Sequence, residues 1–133
     1  MPEPARILVV ANRTAATPAL VDAVRERSLR GPCSFVLLVP QLACEVSYGD
    51  EEARKTIELA IPLLEQAAGG AVASMIGPAD AFLAVERALV HERFDEVIIS
   101  TLPERVSHWL RRDLPSRVAA LGVPVTVVTA RGR

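Results

Sequence analysis

A chain interrupted by five short runs of apolar residues has few ways to fold. The runs are continuous or nearly so and rich in valine, isoleucine and leucine, which is typical of strands buried on both faces of a parallel sheet. The segments between them have helical periodicity and are long enough for the crossovers that parallel strands require. We therefore predict a three-layer α/β sandwich in a single domain spanning residues 1–133. The predicted strands are Ile7–Ala11, Phe35–Val39, Ala71–Ile76, Val97–Ile99 and Val123–Val128.

The first two predicted helices have clear start and stop signals. Thr17 is a candidate N-cap followed by a proline, and a Gly-Pro pair ends that segment. Asp50 is a candidate N-cap for the second helix, which ends at a Gly-Gly pair. Pro62 lies inside the second helix, and its missing N–H predicts a kink or a break there.

Two further helices follow the third and fourth strands. The third begins after Gly77 and a proline, with Phe82 on its inward face. The fourth is expected over residues 106–120, with Trp109 filling the core beneath it and Pro115 in an awkward position inside it. Strand and helix therefore alternate throughout the chain.

The overall composition excludes several classes of partner. Fifteen basic and sixteen acidic residues leave a net charge of −1, and only 4% of the residues are aromatic. A nearly neutral chain has no general attraction to nucleic acids or anionic membranes, and few aromatic rings leave little for bases to stack on. Lys55 is the only lysine, so arginine dominates the basic residues. We expect no nucleic-acid partner and no membrane partner.

The amino terminus and the two cysteines indicate a cytoplasmic protein. The first apolar run is too short for a signal peptide, and no run approaches the roughly 18 residues that a membrane helix requires. Cys33 and Cys44 have no metal-binding or redox spacing. We expect both to be reduced, partly buried thiols.

Motifs for catalysis and metal binding are missing from the sequence. The loop after the first strand, residues 12–17, contains no glycine, so it is neither a dinucleotide fingerprint nor a P-loop. No G-x-S-x-G motif supplies a nucleophile, and His91 and His108 have no partner at metal-ligand spacing. We expect a protein that is not an enzyme and binds no metal.

Positive charge is concentrated after two of the predicted strands. Arg13 follows the first strand and Arg105 follows the fourth. In a doubly wound sheet of order 3-2-1-4-5 these strands flank the switch point at which ligands bind. The alternative is that the arginines form an ordinary solvated surface. The candidate anion site consists of Arg13, Ser100, Thr101, Arg105 and Ser107.

Four stretches of the chain, which together cover nearly all of it, resemble the universal stress protein superfamily. They read RILVVANRT, EEARKTIELAIPLLEQAAGGAV, MIGPADAFLAVERALVHERFDEVIIS and VSHWLRRDLPSRVAALGVPVTVV. The order and spacing of the stretches carry the resemblance more than any single motif does. It implies a Rossmann-like five-stranded parallel sheet of order 3-2-1-4-5, similar to that of the adenine nucleotide alpha hydrolases.

The sequence departs from the family where the family binds nucleotide. ATP-binding members carry G-x2-G-x9-G-S/T between the fourth strand and the last helix. The resemblance therefore implies weak or absent ATP binding by that route. Alignment on Ser107 and Trp109 leaves three residues fewer than the motif has between its second and third glycines, and it puts Leu102, Arg105, Arg112 and Asp113 at the four positions.

Two other positions enter through the resemblance. Asn12 stands where the family usually has an acidic residue, and Gly77 is retained in a turn that touches adenosine in the family. The candidate cofactor is accordingly ATP or another adenine nucleotide. The complete candidate binding set is Asn12, Arg13, Gly77, Ser100, Thr101, Arg105 and Ser107.

The last apolar run predicts how the chain pairs with itself. Family members commonly form dimers through the last strand, and Val123–Val128 would leave an apolar edge exposed if it stayed unpaired. We therefore expect a homodimer through this strand.

Two functions stay open on the sequence. The first is a small universal-stress-protein-like binding and regulatory protein with weak or no ATP binding. The second is a protein that binds a nucleotide or another phosphorylated small molecule at an arginine-lined switch point. An enzymatic role is a weaker third option, because no general base or nucleophile is placed.

Overall fold

The computed structural model describes residues 4–11, 14–41, 48–102, 109 and 112–130. Its strands form a single parallel sheet in the order β3-β2-β1-β4-β5, which confirms the predicted fold class and strand order. In chain order the elements are β1 (Ala5–Val10), α1 (Pro18–Leu29), β2 (Cys33–Pro40), α2 (Tyr48–Ala68), β3 (Val72–Gly77), α3 (Ala81–His91), β4 (Glu96–Thr101), α4 (Leu114–Ala119) and β5 (Val125–Thr129).

The central strand β1 sets the register of the sheet. Its last residue, Val10, lies opposite Leu38 of β2 on one side and Ile99 of β4 on the other. The carboxyl ends of these three strands therefore lie side by side. Polar side chains that follow β1 and β4 are brought together at that edge.

Alternation along the strands divides the apolar side chains into two cores. Ile7 and Val9 of β1 belong to the first core, which packs beneath α1 and α2. Leu8 and Val10 belong to the second core, which packs beneath α3 and α4. All four side chains are fully buried, as expected for a strand covered on both faces. The predicted three layers are thus confirmed.

Helix α1 begins where the sequence predicts, but the predicted cap acts differently. Thr17 occupies the N-cap position and makes no capping bond with its side chain. Its Oγ1 instead donates to the carbonyl oxygen of Thr14 at 2.7 Å. Leu20 and Val24 are fully buried in the first core and form the inward face of the helix.

Helix α2 corrects the predicted cap and excludes a break at Pro62. It begins at Tyr48, so Asp50 lies inside the first turn and is not the N-cap. Pro62 does not break the helix, which continues to Ala68. Packing of Leu64 and its neighbours against the first core outweighs the loss of one backbone hydrogen bond. The loop between β2 and α2 lies largely outside the described residues.

The predicted helix over residues 106–120 is also corrected. Asp113 adopts a left-handed conformation, with φ 56° and ψ 41°, directly before α4 begins. A left-handed residue cannot continue an α-helix, so α4 is a separate element. Pro115 falls in its first turn, where a missing N–H is tolerated. Residues 103–108 and 110–111 of the predicted helix lie outside the described part of the chain.

Strand β5 starts two residues later than the predicted run. Pro124 has no N–H for a sheet hydrogen bond, and its carbonyl oxygen accepts from the Val97 N–H at 2.9 Å. The strand then pairs with β4 from Val125 to Thr129. In the residues that the structure describes, no helix is both long enough and apolar enough to cross a bilayer.

An ion pair fastens α1 to β4 at the amino edge of the sheet. The guanidinium of Arg27 makes three hydrogen bonds with the carboxylate of Glu96, the shortest 2.6 Å long. Both side chains are largely buried, and the hydrogen bonds to Glu96 raise the pKa of Arg27. Nearby, Cys33 is half-buried, as predicted, and burial raises the pKa of its thiol. Cys44 lies outside the described residues.

Candidate ligand-binding site

The carboxyl edge of the sheet is where this fold places ligands. The chain leaves β1 toward β2 on one side, while β4 lies on the other side of β1. Neighbouring strands whose connections run in opposite directions leave a crevice between them. The switch point of this sheet is therefore between the ends of β1 and β4.

A buried pair of hydroxyl groups joins the two sides of the switch point. The Oγ1 of Thr14, in the loop after β1, lies 2.6 Å from the Oγ of Ser100 near the end of β4. Both residues are buried, and either oxygen can be the donor. This contact ties the loop after β1 to the carboxyl end of β4. It also shows that Ser100 is held by a protein partner.

Thr101 points away from Ser100. Successive residues of a strand face opposite sides of the sheet, so Thr101 shares the face of Val97 and Ile99, which belong to the second core. Ser100 shares the face of Ile98, which belongs to the first core. The two hydroxyls that sequence reasoning grouped into one anion site are therefore separated by the sheet itself.

The Thr101 side chain is buried without a hydrogen bond. Its exposure is 2%, and Oγ1 has no partner among the described residues. The backbone is satisfied, since its carbonyl oxygen accepts from the Ala130 N–H at 2.8 Å. Buried hydroxyls are usually paired, so this one marks a place where a polar partner is missing.

Gly77 has a packing reason to be glycine. A Cβ at this position would lie 2.7 Å from the Cβ of Ala84 in α3 and 3.1 Å from Cδ1 of Leu38. The first distance is far below ordinary carbon contact. The close approach of α3 to the end of β3 therefore requires a residue without a side chain here.

The remaining predicted site residues are not placed. Asn12, Arg13, Arg105 and Ser107 lie outside the described part of the chain. Of the predicted set, the structure places Gly77, Ser100 and Thr101 at the carboxyl edge.

A cavity of about 210 Å³ opens at the same edge, between the start of α3 and the start of α4. The guanidinium carbon of Arg117 lies 4.3 Å from the centroid of the Phe82 ring, which holds the arginine against the aromatic face. Asp80 caps α3, with Oδ1 accepting from the Leu83 N–H at 3.2 Å. The lining residues are Ala79, Asp80, Ala81, Phe82, Trp109, Arg112, Leu114 and Arg117.

Sequence reasoning missed this cavity. Trp109 was expected to be core filler, and it does pack against the second core while also lining the cavity. Phe82 and Arg117 are far apart in the chain and belong to different helices, so no local spacing relates them. The one available signal was Arg112, an arginine at a position where the resembled family keeps glycine.

The described residues offer little to a metal ion. No group of three or more histidine, cysteine, aspartate or glutamate side chains converges anywhere in the ranges that the structure describes. The polar and aromatic side chains described at the carboxyl edge include hydroxyls, arginines, aromatic rings and the Asp80 carboxylate.

Comparison with known proteins relates the chain to one group of solved structures. The chain matches no protein-family profile and no curated protein. A universal stress protein in complex with cAMP is similar with a TM-score of 0.71 at 10% identity, covering 98% of this chain and 100% of that one. The Archaeoglobus fulgidus universal stress protein in complex with dAMP gives 0.62 at 15% identity, covering 96% and 99%.

A plant structure extends the likeness. A universal stress protein family protein from Arabidopsis thaliana with AMP bound has a TM-score of 0.57 at 14% identity, covering 97% of this chain and 94% of that one. Identities this low establish shared architecture, and the coverage shows that the whole chain takes part. The chain therefore has the fold of the universal stress proteins, as its sequence resemblance predicts.

Proposed function

We propose that this chain is a binding and regulatory protein of the universal stress type, which takes an adenine nucleotide or another phosphorylated small molecule at the switch point between β1 and β4. The observation that carries the proposal is the likeness to structures solved with cAMP, dAMP and AMP, which extends over 96–98% of this chain. The ligand crevice of a doubly wound sheet lies at this switch point.

The nucleotide would be held without a glycine loop. Glycines allow phosphates to approach backbone N–H groups closely, and side chains at those positions prevent it. Leu102 and Arg112, at two of the four signature positions, carry exposed side chains. We therefore propose arginine side chains as the phosphate ligands, with weaker binding of ATP than the glycine motif would give.

Binding rather than catalysis is supported by the partners at the switch point. Ser100 has the hydroxyl of Thr14 as its side-chain partner, and a threonine hydroxyl does not act as a general base at neutral pH. A buried serine without a base is a poor nucleophile. We therefore propose no chemical step for this site.

The proposed assembly is a homodimer through β5. This strand is at one edge of the sheet, paired with β4 on one side only within the chain. Val127 on it is 42% exposed, which leaves an apolar edge open to strand addition. We also propose a cytoplasmic location, which the unpaired thiol of Cys33 supports.

Calorimetric titration of the purified chain with AMP, cAMP and ATP tests the function. We expect saturable binding of AMP or cAMP with one site per chain, and weaker binding of ATP. Arg105→Ala should abolish the thermal stabilisation given by the bound nucleotide. Arg87→Ala, an exposed arginine of α3, is the matched control and should leave it unchanged.

Two results would contradict the proposal. The first is binding that is unchanged by Arg105→Ala. The second is no binding of any of the three nucleotides, which would exclude the adenine nucleotide as the ligand and favour a regulatory protein that binds no nucleotide. Substitution of all four glycine-signature positions is the observation that favours this second candidate.

A further inference from the structure

We propose that the outer edge of β3 is a docking site for an extended segment of a partner protein, which adds a sixth strand to the sheet. Toward α2, this segment directs an apolar side chain flanked by two basic ones. β3 ends the sheet on the side opposite β5, and no strand in the described part of the chain covers its outer edge. Added strands obtain affinity from main-chain hydrogen bonds and specificity from alternate side chains.

The hydrogen bonds of β3 show which of its backbone groups face the outer edge. The carbonyl oxygen of Gly77 accepts from the Gln41 N–H at 2.9 Å, so the backbone groups of Gly77 are directed toward β2. Backbone groups alternate in direction along a strand, so those of Ser74 and Ile76 are directed outward. These two residues present their N–H and C=O groups to an incoming strand.

The sequence of β3 leaves this edge open to pairing. A side-chain oxygen of Glu65 in α2 accepts from the Val72 N–H at 3.0 Å, which covers the beginning of the edge. The strand itself reads VASMIG, with neither a proline nor a charged residue. Prolines and charged residues are the usual means by which edge strands avoid pairing. Beyond Val72, the edge therefore lacks these forms of protection.

A groove beside the open residues can receive side chains of the added strand. It has a volume of about 410 Å³ and is lined by Arg54, Ile57, Glu58, Ser74, Met75 and Ile76. Ile57 and Ile76 are half-buried against the first core and give the groove an apolar floor. Ser74 is exposed at its border. A strand residue opposite Ser74 therefore suits the groove best if its side chain is apolar.

The side of α2 next to β3 is acidic. Arg54, Glu58 and Glu65 lie on one face of the helix by their spacing, and they supply two carboxylates and one guanidinium. A helical turn rises about 5.4 Å, and alternate residues of a strand are about 6.6 Å apart. Successive side chains of an added strand can therefore meet successive turns of α2. Basic side chains on each side of the apolar one would meet Glu58 and Glu65.

Charge and assembly favour a different protein over a second copy of this chain. A second β3 contains no basic residue, so it brings none to Glu58 and Glu65. The homodimer proposed above, on which this step rests, already joins two copies through β5. Copies joined through β3 as well would form an open chain of molecules instead of a closed dimer.

The peptide TKTVTKT, acetylated and amidated at its ends, tests the proposal in a solution without nucleotide. Its sequence is the same in both directions, so valine lies between two lysines whichever way the peptide pairs. We expect saturable calorimetric binding with one peptide per chain. The peptide TETVTET reverses the charges and should bind about tenfold more weakly at low salt, a difference that added salt reduces.

Hydrogen exchange of single backbone amides, followed by NMR, locates the peptide. The N–H groups of Ser74 and Ile76 should exchange more slowly when the peptide is bound, because they donate to the added strand. Val127 is the control, since its N–H is directed to the outer edge of β5 by the same alternation. Its exchange should not change.

Two pairs of variants define the site. Ser74→Pro removes one outward N–H, which an edge strand tolerates, and should weaken peptide binding by about tenfold. Ser74→Ala keeps that N–H and should bind the peptide as the parent chain does. Glu58→Gln should weaken binding at low salt, whereas Glu86→Gln, at an exposed position of α3, should not. Melting curves verify that the variants fold.

The proposal fails if TKTVTKT gives no saturable binding, if the Ser74 and Ile76 amides gain no protection, or if Ser74→Pro binds as well as Ser74→Ala. Equal binding of TETVTET would overturn the assignment to a basic segment. If Ser74→Pro does not fold, amide protection in the parent chain still decides. A lower sedimentation mass of Ser74→Pro without peptide would show that a second copy occupies this edge, which contradicts the proposal.

Discussion

Two neighbouring hydroxyls at the end of β4 have opposite situations. Ser100 is paired with Thr14 at 2.6 Å, whereas Thr101 is buried with no partner in the described ranges. Removing a buried polar group that lacks a hydrogen bond relieves its desolvation penalty, and removing a paired one leaves its partner unsatisfied. The two residues should therefore respond in opposite ways to the loss of their hydroxyls.

Thr101→Val tests this contrast, because valine keeps the shape and removes the hydroxyl. We expect the free energy of unfolding to rise by about 1 kcal/mol. Ser100→Ala, the comparison variant, should lower it by about 1 kcal/mol, since Thr14 would lose its partner. Urea denaturation of both variants measures the difference. A loss of stability in Thr101→Val would mean that the hydroxyl is satisfied in the folded protein.

Gly77 allows a second test at the residue scale, in which one methyl group is added next to α3. Gly77→Ala would place a methyl group 2.7 Å from the Cβ of Ala84, and relief of that contact requires α3 to move. We expect a loss of about 1–3 kcal/mol in the free energy of unfolding. Gly70→Ala is the control, since a Cβ there meets nothing within 4 Å.

A compensating substitution separates packing from other causes. The double variant Gly77→Ala with Ala84→Gly exchanges the methyl group between strand and helix. It should recover part of the lost stability, although glycine in a helix itself costs about 1 kcal/mol. If the double variant loses more free energy of unfolding than the two single variants lose together, close packing is not the reason for glycine at position 77.

At the scale of elements, the ion pair between α1 and β4 is the shortest and most buried ion pair in the described ranges. Arg27 is 12% exposed and Glu96 is 27% exposed, so solvent screens the pair weakly. By contrast, the pair between Arg6 and Glu92 is 38% and 44% exposed. Burial should decide how much each pair contributes.

We expect Glu96→Ala to lower the free energy of unfolding by about 2 kcal/mol, because it leaves the largely buried Arg27 charge unpaired. Glu92→Ala should cost less than about 1 kcal/mol, as exposed pairs usually do. Thermal unfolding at low and high salt compares them. Equal losses in the two variants would show that burial does not govern these pairs.

The elements also show what sequence patterns can and cannot predict. Strands covered on both faces appear as uninterrupted apolar runs, so all five were found, with ends that differ by a few residues. The break before α4 was missed because it depends on Asp113 in a left-handed conformation, which sequence signals assign first to glycine. Tertiary packing, and not local propensity, also decided the uninterrupted course of α2 through Pro62.

Prediction of the site was limited in the same way, because contacts that form only in the folded chain leave no local sequence signal. Arranging β1 next to β4 correctly located the switch point, because strand order alone determines it. The cavity depends on side chains from α3 and α4 that approach only after folding. Pairs such as Phe82 and Arg117 have no sequence spacing that could reveal them.

At the scale of the whole molecule, the edge of the sheet formed by β5 bears on whether the chain forms a dimer. β5 has one paired side and an exposed valine at position 127. An unpaired apolar edge favours association with another strand. Two copies joined edge to edge through β5 would extend the sheet across a twofold axis and cover that valine.

Sedimentation equilibrium should accordingly give a mass of twice the 14.3 kDa of one chain. Val127→Lys places a charge on the open edge and should shift the protein toward the monomer. Leu59→Lys, at a residue 69% exposed on α2, is the control and should leave the dimer intact. A parent chain that sediments as a monomer at micromolar concentration would contradict the proposed assembly.

The fastening of α1 to β4 by Arg27 and Glu96 has a consequence for how such a chain can change over time. This ion pair is at the amino edge of the sheet, whereas the proposed ligand site is at the opposite, carboxyl edge. Substitutions at the carboxyl edge therefore leave the Arg27–Glu96 ion pair in place. Side chains at the proposed ligand site can therefore change without loss of the contact that joins α1 to β4.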